Sequence, residues 1–364
     1  MTLPSTNRLL LGPGPSPVSP RVMAALAAPP RSHLDPELVA LLDDIRARLA
    51  RIFRVGDGAR VLAISGTGTS AMEAAVANVT EPGRRALVVV TGYFGERLAQ
   101  MLARYGADVT RVDGEWGRAA DPAAVARALA SGRADIVALV HAETSTGVLN
   151  PVADIARMAR AHDALVLVDA VTSLGALPLD VGGWGVDVCY SCSQKGLGAP
   201  SGLSPIAFSA RALERRVACR SFYLDLALLE AFWLERKYHH TISAPLVYAL
   251  AVALEEVEEE GLEARWARHR DTYDALVTAL APIGLDLLPP PDERLWNLNA
   301  VRVPQGVHEA EVRAALLRHD NMEIGAGLGP LAGRIWRIGL MGTGATGENV
   351  DRVTRALARA LGRA

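Results

Sequence analysis

Short apolar runs alternate with amphipathic stretches through much of the chain. Seven segments predict β-strands: Arg60–Ile64, Ala86–Val90, Asp108–Val112, Ile136–His141, Ala164–Asp169, Val186–Ser191 and Ser204–Phe208. Several are near-continuous runs of Val, Ile and Leu, which is typical of strands buried on both faces. Between them, apolar positions recur with a helical period, as in Ala71–Val79, Glu96–Tyr105, Pro122–Ala130 and Ile155–His162. This alternation predicts a mostly parallel α/β sheet.

A different pattern follows. The stretch from Leu246 to about Leu280 predicts one long charged helix, and a Pro-rich break comes after it. Beyond the break, a new α+β pattern consists of strand Leu298–Val303, helix Glu309–His319, strand Ile335–Leu340 and helix Glu348–Leu361. We therefore expect an N-terminal arm over residues 1–20, a large domain over 21–260 and a smaller C-terminal domain over 261–364.

Composition narrows the classes of partner. Of the 364 residues, 50% are hydrophobic and 21% charged, with a net charge of −2. The chain has no clustered basic excess and no apolar run that could cross a bilayer, so we expect neither a nucleic-acid nor a membrane partner. Residues 1–7 lack the apolar core of a signal peptide, and three cysteines cannot form a disulfide framework. We expect a cytoplasmic protein.

Lysine is rare in this chain. Of 38 basic residues only two, Lys195 and Lys237, are lysine. Arginine keeps its proton at neutral pH, whereas a desolvated lysine can lose it, and only a neutral amine attacks a carbonyl carbon. A lysine retained among arginines suggests a chemical role, and the simpler alternative is two leftover surface lysines.

A glycine- and hydroxyl-rich turn follows the first predicted strand. Residues 65–70 read Ser-Gly-Thr-Gly-Thr-Ser and lead into helix Ala71–Val79. Close backbone approach, hydroxyl donors and a helix N-terminus together favour a phosphate site, although a capped glycine turn is the plainer alternative. The turn with Ala71 also matches the dinucleotide fingerprint G-x-G-x-x-A. The strand Ala86–Val90, however, ends without the acidic residue that would bind a ribose, so a single phosphate fits better.

Two further strands end in reactive side chains. Asp169 closes the apolar run Ala164–Val168, and Lys195 follows strand Val186–Ser191 with Gly196 next to it. Strand carboxyl ends of an open α/β sheet share one crevice, so the acid, the lysine and the phosphate turn should meet. Pyridoxal phosphate (PLP) requires an amine for its Schiff base, a carboxylate for its ring nitrogen and a phosphate site. For Asp169 alone, a helix cap or an ion pair would also suffice.

Other constellations are weaker. Cys189 and Cys192 form a C-x-x-C, but inside a strand they point to opposite faces and no second ligand pair accompanies them. His239 and His240 lack the spacing of metal ligands, so no metal site is expected.

Eight ordered motifs resemble the class V, fold-type I PLP-dependent aminotransferases of the alanine–glyoxylate and serine–pyruvate group, over nearly the whole length. These motifs are residues 11–15 (LGPGP), 64–68 with 73–75 (ISGTG, EAA), 141–148 (HAETSTGV), 167–171 (LVDAV), 190–195 (YSCSQK), 221–225 (SFYLD), 238–241 (YHHT), and 327–330 with 337–340 (GLGP, RIGL). The implied fold is the fold-type I α/β architecture, with a mostly parallel seven-stranded sheet in the large domain and a smaller α+β C-terminal domain.

The resemblance implies a role for each matching residue. Lys195 would form the Schiff base and act as base and acid in the proton shift, while Asp169 would pair with the ring nitrogen. The rest of the cofactor site would comprise Thr67, Gly68, Thr69, Phe94, Thr144, Val171 and Gln194. Phe94 and Val171 would cover the two ring faces. Many relatives carry Trp in place of Phe94 and His in place of Thr69.

The resemblance also implies a substrate class and an assembly. Arg337 and Gly14 would contact the substrate, and Tyr238 and Thr241 would reach the phosphate of a partner subunit, so the active site would be shared in a homodimer. A guanidinium suits a carboxylate because it binds both oxygens. The expected reaction moves the amino group of alanine or serine to glyoxylate or pyruvate, small amino and 2-oxo acids.

Three other functions compete. Cysteine desulfuration needs a reactive cysteine in the C-terminal third, whereas all three cysteines precede residue 220. A nucleotide-dependent oxidoreductase fails at the missing ribose acid. A non-catalytic binding module is disfavoured because Lys195, Asp169 and Arg337 are all present. Lys237 has no expected role.

Overall fold

A computed structural model describes residues 8–363. Residues 1–7 of the expected arm, and the final residue of the expected small domain, therefore lie outside the described residues. The strands in chain order are β1 Leu9–Leu10, β2 Arg60–Ser65, β3 Arg85–Val90, β4 Asp108–Asp113, β5 Ile136–Val140, β6 Ala142–Glu143, β7 Val148–Leu149, β8 Leu165–Asp169, β9 Val188–Tyr190, β10 Leu203–Phe208, β11 Leu298–Arg302, β12 Met322–Glu323, β13 Gly325–Ala326 and β14 Ile335–Gly339.

The helices surround these strands. They are α1 Pro20–Leu26, α2 Pro36–Phe53, α3 Gly68–Val79, α4 Tyr93–Arg104, α5 Pro122–Ser131, α6 Val152–Ala161, α7 Ala210–Glu214, α8 Leu226–Glu235, α9 Ala244–Glu260, α10 Leu262–Leu280, α11 Glu309–Asp320 and α12 Gly347–Ala360. Between residues 8 and 363, none of the helices is both long and apolar enough to span a membrane.

The large sheet confirms the predicted fold class. Within residues 8–363 it has seven strands in the order β2-β10-β9-β8-β5-β3-β4. Strand β10 runs antiparallel to both of its neighbours, and the other pairs are parallel. The central strands β5 and β8 are buried at every position, as their continuous apolar runs predict. Their carboxyl ends lie side by side, with Val140 opposite Asp169 and Asp169 opposite Tyr190.

Two predicted element boundaries are wrong. The single long helix from Leu246 to about Leu280 is two helices, because Gly261 separates α9 from α10 with a φ of +81° that glycine adopts readily. The strand expected over Val186–Ser191 spans only Val188–Tyr190, so Cys192 lies beyond it. Sequence periodicity locates a helix or strand better than it locates its ends.

The two largest apolar clusters occupy different parts of the chain. One core runs from Val22 to Val257 and surrounds the large sheet. The other contains residues from Tyr273 to Leu357 together with Leu11. The N-terminal strand β1 pairs with β12, so the beginning of the described chain belongs structurally with the C-terminal core. The exact boundaries at residues 20 and 260 remain predictions.

Candidate active site

A cavity of about 130 Å³ opens at the carboxyl ends of β8 and β9. Its lining contains nine of the residues that the sequence predicted for the cofactor: Thr67, Gly68, Thr69, Phe94, Thr144, Asp169, Val171, Gln194 and Lys195. A larger groove of about 640 Å³ contains none of them. The folded chain thus brings together residues that are more than a hundred positions apart in sequence.

Lys195 lies in the turn after β9, where its ammonium group donates to the carbonyl oxygen of Pro13. Loss of hydration lowers the pKa of Lys195, and the positive charge of Arg337 lowers it further, while Cys192 and Asp169 act in the opposite direction. A lysine with a lowered pKa has a larger neutral fraction at a given pH, which is what a nucleophilic or basic amine requires.

Asp169, at the end of β8, is 4% exposed. Its Oδ1 accepts from the backbone N–H of Val171 at 2.8 Å, and its Oδ2 accepts from the hydroxyl of Tyr190 at 3.0 Å. Burial raises the pKa of Asp169 to about 6, against the lowering effect of these two donors. The carboxylate is therefore held in place but poorly compensated, so a cationic partner in the cavity would be favoured.

The glycine-rich turn lies where the sequence predicted it, between β2 and α3. Thr67 is the N-cap of α3, yet its side chain makes no capping hydrogen bond, and Thr67, Gly68 and Thr69 all line the cavity. A β carbon on Gly68 would be 3.0 Å from Val171 Cγ2, which leaves little room for a side chain there. Thr69 accepts a hydrogen bond from Arg97 Nη1 at 3.1 Å.

Arg97 also lines the cavity and was not predicted. Its guanidinium lies 5.0 Å from the centre of the Phe94 ring and 5.3 Å from that of Tyr93. This geometry allows a cation–π contact with the aromatic side chain that closes one side of the cavity. Arg97 thereby adds a positive charge next to Thr69, beside the glycine-rich turn that the sequence predicts to bind a phosphate.

Glu143 belongs to the motif HAETSTGV, and no role was predicted for it. Its carboxylate is fully buried, and Oε2 accepts from the backbone N–H groups of Phe94 and Gly95, each at 3.1 Å. Its Oε1 accepts from the backbone N–H of Ser145 at 3.1 Å and from the Ser145 hydroxyl at 2.6 Å. Glu143 thus caps α4 from another segment and fixes the backbone of Phe94. Burial raises the pKa of Glu143, and its four donors oppose that rise.

Arg337 lies on β14, 7% exposed, with its Nε donating to the Ala326 carbonyl at 2.6 Å. Within residues 8–363, no other hydrogen bond of its guanidinium is found, which leaves both terminal nitrogens available for a ligand. Burial lowers the pKa of Arg337 to about 10, and the charge of Glu143 opposes this effect. Arg334, three residues earlier, is exposed.

Residues 13 and 14 of the arm connect Lys195 with the strand pair that holds Arg337. Pro13 accepts from Lys195, and its ring packs so closely on Gly325 that a β carbon there would be 2.4 Å from Pro13 Cδ. Gly325 in turn pairs with Arg337 across β13 and β14. Gly14, the other predicted substrate contact, lies directly against the Lys195 side chain.

Tyr238 and Thr241 are exposed and do not line this cavity. Lys237, next to Tyr238, is 71% exposed and pairs with Glu235 at 2.7 Å, as expected of a surface lysine. The three cysteines are free, and the C-x-x-C pair is buried.

Comparisons with known proteins give a consistent result. Residues 17–352 match the family described as aminotransferase class-V. The chain is 36% identical to alanine–glyoxylate aminotransferase of Drosophila melanogaster, over 98% of this chain and 92% of that protein. A crystal structure of alanine–glyoxylate aminotransferase from Nostoc sp. superposes with a TM-score of 0.96 at 44% identity, covering 99% of this chain and 98% of that one.

A second solved structure is nearly as similar in sequence and equally similar in fold. Ureidoglycine–glyoxylate aminotransferase from Bacillus subtilis has a TM-score of 0.96 at 35% identity, covering 100% of this chain and 95% of the other. The names of these relatives share an acceptor, glyoxylate, and differ in the amino donor.

Proposed function

The chain belongs to the class-V aminotransferases, and we propose that it binds PLP on Lys195 and moves the amino group of alanine or serine to glyoxylate or pyruvate. The observation that carries this proposal is the meeting of Lys195 and Asp169 at one cavity, with Arg337 near enough to affect the pKa of Lys195. The glyoxylate acceptor is supported by the names of the relatives.

The residues of the cavity fit PLP chemically. The pKa of the buried Asp169 is raised to about 6, so a pyridinium N–H would give this carboxylate the cationic partner it lacks. The side-chain oxygen of Gln194 is buried without a hydrogen-bond partner among the described residues, so a donor on a bound ligand would satisfy it. The turn at Gly68 offers helix N–H groups and hydroxyls to a phosphate, with Arg97 as a nearby cation.

PLP in this position would supply an electron sink for the bond that breaks at the substrate Cα. Lys195 Nζ would take the proton from that carbon and deliver it, in a 1,3-shift, to the cofactor carbon on the other side of the nitrogen, which requires the neutral amine that its lowered pKa favours. Asp169 would hold a proton on the ring nitrogen, Phe94 and Val171 would fix the ring plane, and Thr144 would hydrogen-bond beside it.

Arg337 would bind the substrate carboxylate through its two free terminal nitrogens. Pro13 and Gly14 lie against Lys195, and Pro13 packs on Gly325, the strand partner of Arg337, which supports a small substrate. Orientation by the carboxylate would direct the Cα hydrogen toward Nζ, which shortens the search for a reactive geometry.

The proposal includes a homodimer with shared sites. Tyr238 is 65% exposed and Thr241 is exposed, which suits residues that reach the phosphate of a partner subunit. Nearby Phe222 and Tyr223 are 73% and 44% exposed, and an interface would cover their apolar surface. We also propose a cytoplasmic location, where a reducing environment would keep the cysteines free.

The two lysines provide a matched test. Purified protein should show a visible PLP absorbance band, and borohydride should attach the cofactor irreversibly to the peptide that contains Lys195. The variant Lys195→Arg should lose both properties, and Lys237→Arg should keep them. A colourless protein that PLP cannot reconstitute, or attachment at Lys237, would refute the cofactor assignment.

The donor is tested by adding alanine, serine, aspartate or phosphoserine to the loaded protein and following the loss of the band. Alanine or serine should convert it rapidly. Conversion by aspartate but not by alanine or serine would overturn the small-substrate assignment.

A further inference from the structure

His239 and His240 form a continuous line of hydrogen bonds between two loops. Their Nδ1 atoms are 2.8 Å apart. At one end, His240 Nε2 is 2.6 Å from the hydroxyl of Ser65, and at the other end His239 Nε2 is 3.1 Å from the carbonyl oxygen of Phe222. Ser65 is the last residue of β2 and the first of the glycine-rich turn, and the histidines lie between Tyr238 and Thr241.

The chemistry of the two ends fixes the direction of this line. A carbonyl oxygen only accepts, so His239 Nε2 must carry a proton and donate to Phe222. With one N–H on each ring, His239 Nδ1 is then an acceptor and His240 Nδ1 donates to it. His240 Nε2 is left to accept from the Ser65 hydroxyl. This arrangement gives all four ring nitrogens a partner.

The surroundings favour the neutral form of His240. Phe222 stacks on His239, with ring centres 5.6 Å apart, while Phe232 and Tyr223 pack against His240 at 5.1 Å and 5.3 Å. Loss of hydration lowers the pKa of His240 to about 4, with smaller effects in the same direction from the titratable neighbours His239 and His33. The hydroxyl of Tyr223 also donates to the Ser65 carbonyl at 3.2 Å.

We infer that His239 and His240 are positioning residues that tie the Tyr238–Thr241 segment to Ser65. The glycine-rich turn of one protomer thereby positions the segment that reaches the active site of its partner. The inference rests on the proposed shared site. It assigns the histidine pair a function in the partner's active site, although the pair is bonded within its own subunit.

Hybrid dimers test the direction of this effect. One hybrid pairs a Lys195→Ala subunit with a His240→Phe subunit, so the remaining lysine site receives an intact segment from its partner. The other pairs a doubly substituted subunit with an unsubstituted one, so the remaining site receives the altered segment. PLP is titrated into each, with absorbance as the readout, beside a hybrid that carries Lys195→Ala alone.

The first hybrid should bind PLP as the control does. The second should bind it roughly five- to tenfold more weakly, the effect of about one hydrogen bond. Equal affinities, the opposite order, or a chain that proves monomeric would overturn the inference. If the unsubstituted protein binds PLP but transfers no amino group, the proposed reaction fails while this titration still decides the role of the histidines.

Two conservative variants separate positioning from simple packing. In His240→Gln, the side-chain oxygen can still accept from Ser65, but the side chain cannot reach His239. In His240→Asn, the side-chain NH2 can donate to His239, but the side chain cannot reach Ser65. If the whole line matters, both should weaken PLP binding in the unsubstituted background while leaving the circular dichroism of the cofactor-free chain unchanged. Wild-type affinity in both variants would contradict a positioning role for this line of hydrogen bonds.

Discussion

Gly14 lies against the side chain of Lys195. A β carbon on Gly14 would be 2.6 Å from both Cδ and Cε of the lysine and 2.8 Å from Nζ. Gly14 also has a φ of +117°, a conformation that L side chains rarely adopt. The space around the proposed catalytic amine therefore depends on the absence of a side chain in the N-terminal arm, far from Lys195 in sequence.

The variant Gly14→Ala should abolish most amino transfer, because the added methyl group must displace either the lysine or the arm. Gly12→Ala is the matched control, since its β carbon would meet its nearest neighbours at 3.7 Å and 3.9 Å, an ordinary contact distance. Steady-state rates and thermal melting of both variants measure the difference. Full activity in Gly14→Ala would show that the arm moves away from Lys195 during turnover.

The variant Asp169→Asn should inactivate the enzyme and yet stabilise the cofactor-free chain near pH 8. The pKa of Asp169 rises from 3.8 to about 6 on folding, so the folded state binds more protons than the unfolded state between these values. Stability consequently falls as the pH rises through that window, by about 3 kcal/mol in total. Asparagine removes this cost, because its oxygen can accept from Val171 and its NH2 can donate to Tyr190.

Urea unfolding of the two proteins at pH 4 and pH 8 provides the measurement. The advantage of Asp169→Asn should be large at pH 8 and small at pH 4. An advantage that is the same at both pH values would contradict the assigned burial of the charge.

The sequence predicted those parts of the site whose residues stand in a recognisable local pattern, either at the end of an apolar strand or in a glycine-rich turn. Asp169 and Lys195 each follow an apolar strand, and parallel strands bring their carboxyl ends together whatever the surrounding detail. The turn at Gly68 carries its own glycines and hydroxyls. Arg337 depended on family resemblance, because nothing local distinguishes a buried arginine on a strand from an exposed one.

The supporting residues could not be predicted in the same way. Glu143 ends strand β6 as Asp169 ends β8, but its partners are the N–H groups of Phe94 and Gly95, about fifty residues earlier in the chain. Tyr190 lies in a buried strand and carries no sequence signal of its own. Only the register that pairs it with Asp169 shows the hydrogen bond between the two side chains. The helix break at Gly261 was visible as a glycine, but periodicity on both sides concealed it.

The variant Arg337→Lys should raise the KM for both the amino donor and the oxo acceptor and lower kcat/KM by roughly 100-fold, since a lysine cannot bind both carboxylate oxygens in a fixed plane. Arg334→Lys is the control, because Arg334 is exposed and three residues away. PLP affinity should be unchanged in both. Equal loss of kcat/KM in the two variants would remove Arg337 from the substrate site.

The variant Glu143→Gln should destabilise the chain and disturb the ring-covering face of the cavity together. Each oxygen of Glu143 accepts from two donors, and each of these pairs includes at least one backbone N–H, which can only donate. Glutamine must therefore turn an NH2 group toward donors and leave them unsatisfied in a buried place. We expect a loss of about 3 kcal/mol in unfolding free energy and weaker PLP binding, because the backbone of Phe94 loses its support.

The control is Glu96→Gln, a substitution at a partly exposed site in the first turn of α4, the helix that Glu143 caps. It should change stability by less than about 0.5 kcal/mol. Urea unfolding and PLP titration give the two quantities, and loss of stability with unaltered PLP affinity would limit Glu143 to a role in folding.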